Sequence, residues 1–204
     1  MAPSAEARRG QERAIATRAA LLDAAIECLV ERGYGATTTI ETARRAGVSR
    51  GAQLHHFATR AELLATAVEH LFDRRRAEFL EAFAAIDPDA DRLDAAVDLL
   101  WSMFQGPTFV AWTELWVAAR TDPELAATLV AVERRFTAET SATFAELFPA
   151  AASADDALHG IARDFAFALM QGVAFQRLFA HGERPAADYV DTLKQVFRLA
   201  RLEG

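Results

Sequence analysis

Apolar residues recur three and four positions apart along almost the whole chain, and no stretch sustains the two-residue alternation or the β-branched runs of a strand. The pattern predicts an all-α protein. A first helix is expected over about 13–31, with Leu22, Ala25, Ile26 and Leu29 on one face and Gly33 able to take the left-handed conformation that closes a helix. Two short helices follow, then a long one beginning near Ala61. That helix carries Leu64, Val68, Leu71 and Phe72 at core spacing and is read with Arg74, Arg75 and Arg76 on its solvated side. Asp87-Pro88-Asp89, Gly106-Pro107, Asp122-Pro123, Phe148-Pro149 and Arg184-Pro185 punctuate the remainder, giving nine expected helices. Residues 1–12 are read as a mobile arm, 13–60 as a three-helix domain and 61–204 as a larger helical domain.

Between Gly33 and Leu64 the chain reads GYGATTTIETARRAGVSRGAQLHHFATRAELL, where several local signals converge. Thr38 and Glu41 have the spacing of a capping box that opens a short helix ending at Ala46-Gly47. Gly47 can supply a positive φ for a tight turn, Val48 can plug the angle between helices, and Ser49 can cap a second short helix, Arg50 to His56. Thr59 and Glu62 repeat the capping-box spacing at the start of the long helix, whose amino end suits a phosphate oxygen.

Two short helices joined by a three-residue turn form a unit whose second member fits a major groove about 12 Å wide. On it Arg50, Gln53 and His56 are spaced three apart and are expected to face outward, with Leu54 and Phe57 packing inward. Arg50 can bond a guanine and Gln53 an adenine edge or a phosphate. His55 and His56 offer ring nitrogens to bases or phosphates, or are solvated surface residues. Thr38, Thr59 and Arg60 are read as phosphate clamps, whereas Arg44 and Arg45 add long-range attraction or are simply solvated.

A net charge of −7 speaks against nucleic acid only until it is divided along the chain. Through Arg60 there are nine arginines against six acids, and beyond it thirteen basic against twenty-three acidic residues. A locally basic surface on an acidic protein suffices for phosphate attraction. With 204 residues and 52% hydrophobic content the chain can bury a sizeable core without staples. The lone Cys28, set between Ile26 and Leu29, is read as a small core residue suited to a reducing cytoplasm. Met1 to Gly10 lacks the apolar core of a secretory leader, and the run from Phe165 to Phe175 is too short to span a bilayer.

The segment resembles the N-terminal domain of the tetracycline-repressor (TetR) family of bacterial regulators. The resemblance rests on Glu31-Arg32-Gly33-Tyr34, Thr37-Thr38, Ala43, Ala46-Gly47-Val48-Ser49, Gly51, His55, Phe57 and Glu62-Leu63-Leu64, over about sixty residues. It implies DNA binding through the Arg50 to His56 helix. Thr42 stands where the family generally has isoleucine, so Ile40 is expected to take over that packing. Leu54 and His56 stand where tyrosines are common.

For the rest of the chain the resemblance is architectural. It implies pairing of the last two long helices with their symmetry mates in a homodimer, which accounts for the surplus apolar surface between Phe165 and Phe175 and the stripe Tyr189, Leu193, Val196, Phe197 and Ala200. Two reading helices roughly 34–36 Å apart would match a palindromic DNA operator. The aromatic set Trp101, Phe104, Phe109, Trp112, Trp116 and Phe136, with Met103, is either ordinary core or the lining of a pocket for an apolar or aromatic small molecule, as the resemblance implies. Glu114, Gln105 and Gln171 are candidate polar contacts. The expectation is a repressor released by that ligand, without a cofactor or metal.

An enzyme is the principal rival, yet the sequence has no glycine-rich phosphate loop, nucleophile elbow, HExxH or CxxC pair. Asp87, Asp89 and Asp91 have calcium-loop alternation, but Arg92 replaces the required glycine, so a polar turn is expected. A helical adaptor that recruits a protein partner without binding DNA is the remaining alternative.

Overall fold

The computed structural model describes residues 5–87, 91–147, 156–179 and 184–199. Among them are nine helices and no strand: α1 (Ala5–Ala36), α2 (Thr39–Arg45), α3 (Arg50–His56), α4 (Arg60–Ala84), α5 (Arg92–Met103), α6 (Pro107–Ala119), α7 (Pro123–Leu147), α8 (Asp156–Leu178) and α9 (Ala186–Leu199). The first helix starts well before the expected boundary, so residues 5–12 are helical. Prolines open α6 and α7, where a missing N–H costs nothing. Asp91 caps α5 by accepting the Asp94 amide, which gives that aspartate a structural task in place of the calcium-loop spacing. The expected breaks at Pro88-Asp89 and Phe148-Pro149, and Ala200 of the final stripe, lie outside the described residues.

Two compact units share the chain. The first runs through Asp73 and adds Val110–Val132; the second comprises Arg74–Phe109 and the residues from Glu133 onward. α4, α6 and α7 therefore each contribute residues to both. In the first unit Leu21, Leu22, Ala25 and Leu29 of α1 meet Leu63, Leu64, Val68 and Leu71 of α4, with Leu115, Leu125 and Leu129 completing the core. Burying each leucine stabilises by about 1.5–3 kcal/mol, and the spacing of these residues accounts for which helix faces turn inward. Cys28 is wholly buried, and its burial pushes the thiol pKa up, as suits a core residue.

The second unit has its own core, in which Leu93 and Val97 of α5, Ala166 and Met170 of α8, and Val190, Leu193 and Phe197 of α9 pack together. The buried stripe of α9 is Ala186, Val190, Leu193 and Phe197, leaving Val196 and Leu199 exposed. α8 carries apolar residues on two sides. Met170 and Val173 are buried, while Ile161, Phe165, Phe175 and Leu178 stay exposed, with Phe179 just beyond the helix. No described helix is long and apolar enough to cross a membrane.

Candidate functional site

At Gly33 the backbone takes φ +71°, so α1 turns there and delivers Tyr34 to the start of the next segment. With ψ 174° this is a backbone region essentially confined to glycine, and a Cβ there would also lie 2.8 Å from Glu114 Oε2, which would have to shift. Glu114 accepts the Tyr34 amide at 2.9 Å, and the Tyr34 hydroxyl donates to Asp122 Oδ2 at 2.5 Å. Glu114 thus serves the first unit rather than a ligand pocket. Burial, followed by the bond to Asp122, pushes the Tyr34 pKa up to about 12.

Thr38 opens α2 by accepting the Glu41 amide at 3.2 Å. Glu41 does not complete the expected box. Its carboxylate instead pairs with Arg44 at 2.8 Å and Arg32 at 3.4 Å, and the Arg44 hydrogen bond brings its pKa down to about 2. Thr42 is buried and donates to the Thr38 carbonyl, while Ile40 is 64% exposed. The polar residue therefore fills the inward position and Ile40 does not. Arg45 pairs with Glu31 at 2.6 Å and Glu27 at 3.3 Å, so both cations of the Arg44-Arg45 pair are engaged by acids.

Gly47 makes the turn with φ +67°, the Val48 amide donates to the Ala43 carbonyl at 3.0 Å, and Val48 packs on the first core. Ser49 then caps α3 by accepting the Ala52 amide at 3.1 Å. Thr59 caps α4 through the Glu62 amide at 3.1 Å, and Glu62 reaches back to the Ala58 amide at 2.8 Å. The N-cap residues Thr38, Ser49 and Thr59 are each in place, and α3 is held at both ends.

The outward face of α3 differs from the expected one. Gln53 is 1% exposed, and its side-chain Nε2 donates to the Phe57 carbonyl at 3.1 Å. This corrects its assignment as a base reader: it satisfies the carboxyl end of α3 from inside. Leu54, expected to pack inward, is 51% exposed. Arg50, Gly51, Leu54 and His55 form the exposed face, with His56 half-buried at its flank and Phe57 in the core. Arg50, Gln53 and His56 do share one side of the helix, but the outward face is centred about one residue away, because Phe57 and Gln53 together cover the core and leave Leu54 to solvent.

Arg60 is likewise turned away from the role of phosphate clamp. Its guanidinium lies 3.9 Å above the centre of the Tyr34 ring and Nη2 donates to the Tyr34 carbonyl, an arrangement that ties α4 to the end of α1. Arg50 is exposed and pairs with no acid among the described residues. Arg8, Arg9 and Arg13 are exposed along the amino-terminal part of α1.

A second site lies wholly within the second unit. Here α4, α5, α7, α8 and α9 enclose a cavity of about 110 Å³, lined by Phe79, Val97, Leu100, Met103, Phe136, Phe144, Phe167 and Phe197 among others. Of the six aromatics proposed from sequence, Phe136 alone lines it. Phe104 meets Phe167 edge-on at 5.7 Å and lies 5.9 Å from Phe109. Trp101 packs on the adjoining core, and Trp112 belongs to the first unit, 5.2 Å from Phe72 and 6.3 Å from the half-exposed Trp116. Neither Gln105 nor Gln171 lines the cavity. Arg76, read as solvated, lines the cavity and donates through Nε to Thr143 Oγ1 at 3.1 Å. Sequence spacing could have found Phe79 and Phe197, each on an apolar helix stripe; Arg76 carried no such signal.

A short capped helix with an arginine-bearing outward face, supported by a capped neighbour across a Gly-Val-Ser turn, defines a helix-turn-helix DNA-binding regulator. Residues 21–67 match the family of bacterial regulatory proteins, tetR family. An HTH-type transcriptional regulator of Mycobacterium tuberculosis is 36% identical over 133 residues, 65% of this chain and 68% of its own length. A TetR-family transcriptional regulator from Rhodococcus sp. shares the fold with a TM-score of 0.68 at 24% identity, covering 90% of this chain and 97% of that one. The multidrug binding protein EbrR, solved in complex with ethidium, has a TM-score of 0.61 at 23% identity, covering 88% and 96%. The chain belongs to the TetR family of transcriptional regulators, DNA-binding proteins that act as dimers and bind small molecules.

Proposed function

We propose that this regulator represses transcription in the cytoplasm by holding a palindromic operator, and that a small apolar ligand releases it. The observation that carries the DNA half is the exposed face of α3. Arg50 bonds a guanine edge, Leu54 packs on a thymine methyl, and His55 and His56 contact bases or phosphates. Thr38, Ser49 and Thr59, exposed or nearly so at three helix starts, approach the phosphates with their neighbouring backbone amides. Gln53 and Arg60 support the reading helix from behind.

The homodimer forms through α8 and α9. Ile161, Phe165, Phe175, Leu178, Val196 and Leu199 are exposed apolar side chains on those two helices, a surface that a monomer would leave against water. The ligand occupies the cavity of the second unit, a reading supported by its aromatic lining and by the likeness in fold to EbrR, which was solved with ethidium. One continuous helix, α4, carries Leu63 and Leu64 of the first core as well as Phe79 of the cavity lining. Ligand binding favours a conformer whose two α3 helices no longer match the operator, by a coupling typically of about 1–3 kcal/mol.

Selection from a pool of random duplexes at low and moderate salt tests this reading. Recovery of an inverted repeat, bound with a steep salt slope, is the expected result. Binding without sequence preference, or no binding, would reject it in favour of an adaptor that recruits protein.

A further inference from the structure

The cavity of the second unit is apolar on most sides, yet its polar lining is one-signed. Among the described residues that line it, the polar side chains are Arg76, Arg163, Thr140 and Thr143, and none is a carboxylate. The two arginines differ in how far their charge is already answered. Arg163 places Nε and Nη2 on Asp164 Oδ1 at 3.0 and 2.9 Å and Nη1 on Ser141 Oγ at 2.8 Å, so its donors and its charge are engaged. Arg76 spends Nε on the Thr143 hydroxyl, a neutral partner, and no described carboxylate lies within ion-pair distance of it. Its remaining guanidinium edge is a fork of two parallel N–H groups.

A cation at the wall of an apolar cavity favours an anionic guest that can share both N–H donors, and it penalises a cationic one. Resting on the reading of this cavity as the ligand site, we infer that the ligand is a monocarboxylate. Its apolar body lies among Phe79, Phe136, Phe167 and Phe197, and its carboxylate is received by Arg76 with the Thr140 hydroxyl beside it. The size of the body follows from the void. At about 110 Å³ it is of the same order as the roughly 150 Å³ apolar cavity that accommodates benzene, so one aromatic ring or a short aliphatic chain is the natural fit.

Calorimetric titration of the full chain with three shape-matched probes tests the charge assignment: benzoate, its neutral amide benzamide, and benzamidinium. The carboxylate is expected to bind at least tenfold more tightly than the amide, and the cation more weakly than either. Arg76→Met should bring the ratio of carboxylate to amide affinity to near unity, and Arg76→Lys should retain part of the preference because the positive charge remains. Circular dichroism reports that each variant is folded. Equal binding of carboxylate and amide by the natural protein, or a preference that survives Arg76→Met, would overturn the anionic assignment and leave the cavity reading intact. Failure of all three probes to bind, or binding unaffected by filling the cavity with Ala166→Phe, would overturn the cavity reading itself.

Discussion

Replacing Gln53 separates a side chain that reads DNA from one that builds the reader. Gln53 is 1% exposed and its amide donates to the Phe57 carbonyl at the end of α3. Gln53→Ala removes that donor and leaves a buried acceptor unpaired, at a cost of about 1–3 kcal/mol. It also deletes buried side-chain volume, adding roughly 0.8 kcal/mol for the lost methylene. The expected total is about 2–4 kcal/mol. For a chain of this length each kcal/mol moves the melting temperature by about 2–4 °C, so a fall on the order of 5–15 °C should appear in a thermal scan. Gln53→Met keeps most of the volume without the donor and should show the larger part of the loss. In operator titrations below the melting range, the ratio of affinities for the operator and its single-base variants should match the natural protein. A scan unchanged within about 0.5 kcal/mol, together with loss of discrimination at one base pair, would show that Gln53 points outward and would refute this reasoning.

Other residues give independent tests. Gly33→Ala should destabilise by about 1–3 kcal/mol, because φ +71° with ψ 174° is a backbone region essentially confined to glycine. Gly47→Ala, at φ +67° with open space around its Cβ, should cost less, on the order of 1 kcal/mol; denaturant unfolding that ranks them in reverse contradicts the backbone argument. The raised pKa of Tyr34 means that its neutral hydroxyl is favoured in the fold. Its contribution is therefore complete below the ordinary tyrosine value of about 10 and is lost as pH rises toward about 12. Tyr34→Phe should be less stable at neutral pH and should lack that alkaline loss, as measured by urea unfolding between pH 9 and 11.5. Phe165→Asp, in the exposed stripe of α8, should convert a dimer to a monomer in light scattering with little change in helix content by circular dichroism; an undiminished dimer would place the interface elsewhere.

The all-helical fold was legible because core positions such as Leu22, Leu29, Leu64 and Val68 repeat at helical spacing, and because Thr38, Ser49 and Thr59 announce helix starts through local hydrogen bonds. These are interactions within four residues, which a linear pattern encodes directly. Placements set by residues distant in sequence are not legible in this way: Tyr34 draws Arg60 inward, and Glu114 arrives from eighty residues away. The rotation of α3 is local, since Gln53 bonds the Phe57 carbonyl four residues on, but helical spacing fixes which residues share a face and not which face turns inward. The aromatic set does not form a unit. Trp112 and Trp116 lie four residues apart in the first unit, while Phe136 reaches the cavity of the second, a division whose boundaries fall inside α6 and α7 rather than at a break in the sequence pattern.

The central claim is that the exposed face of α3 selects the DNA sequence. Parallel selection from one random duplex pool, with the natural protein and with Arg50→Ala/Leu54→Ala/His55→Ala, tests it most directly, since all three side chains are exposed and their loss should leave the melting temperature nearly unchanged. The natural protein should enrich an inverted repeat, and the triple variant should bind duplexes with a salt-dependent affinity but enrich none. Enrichment of the same repeat by both proteins would contradict the account.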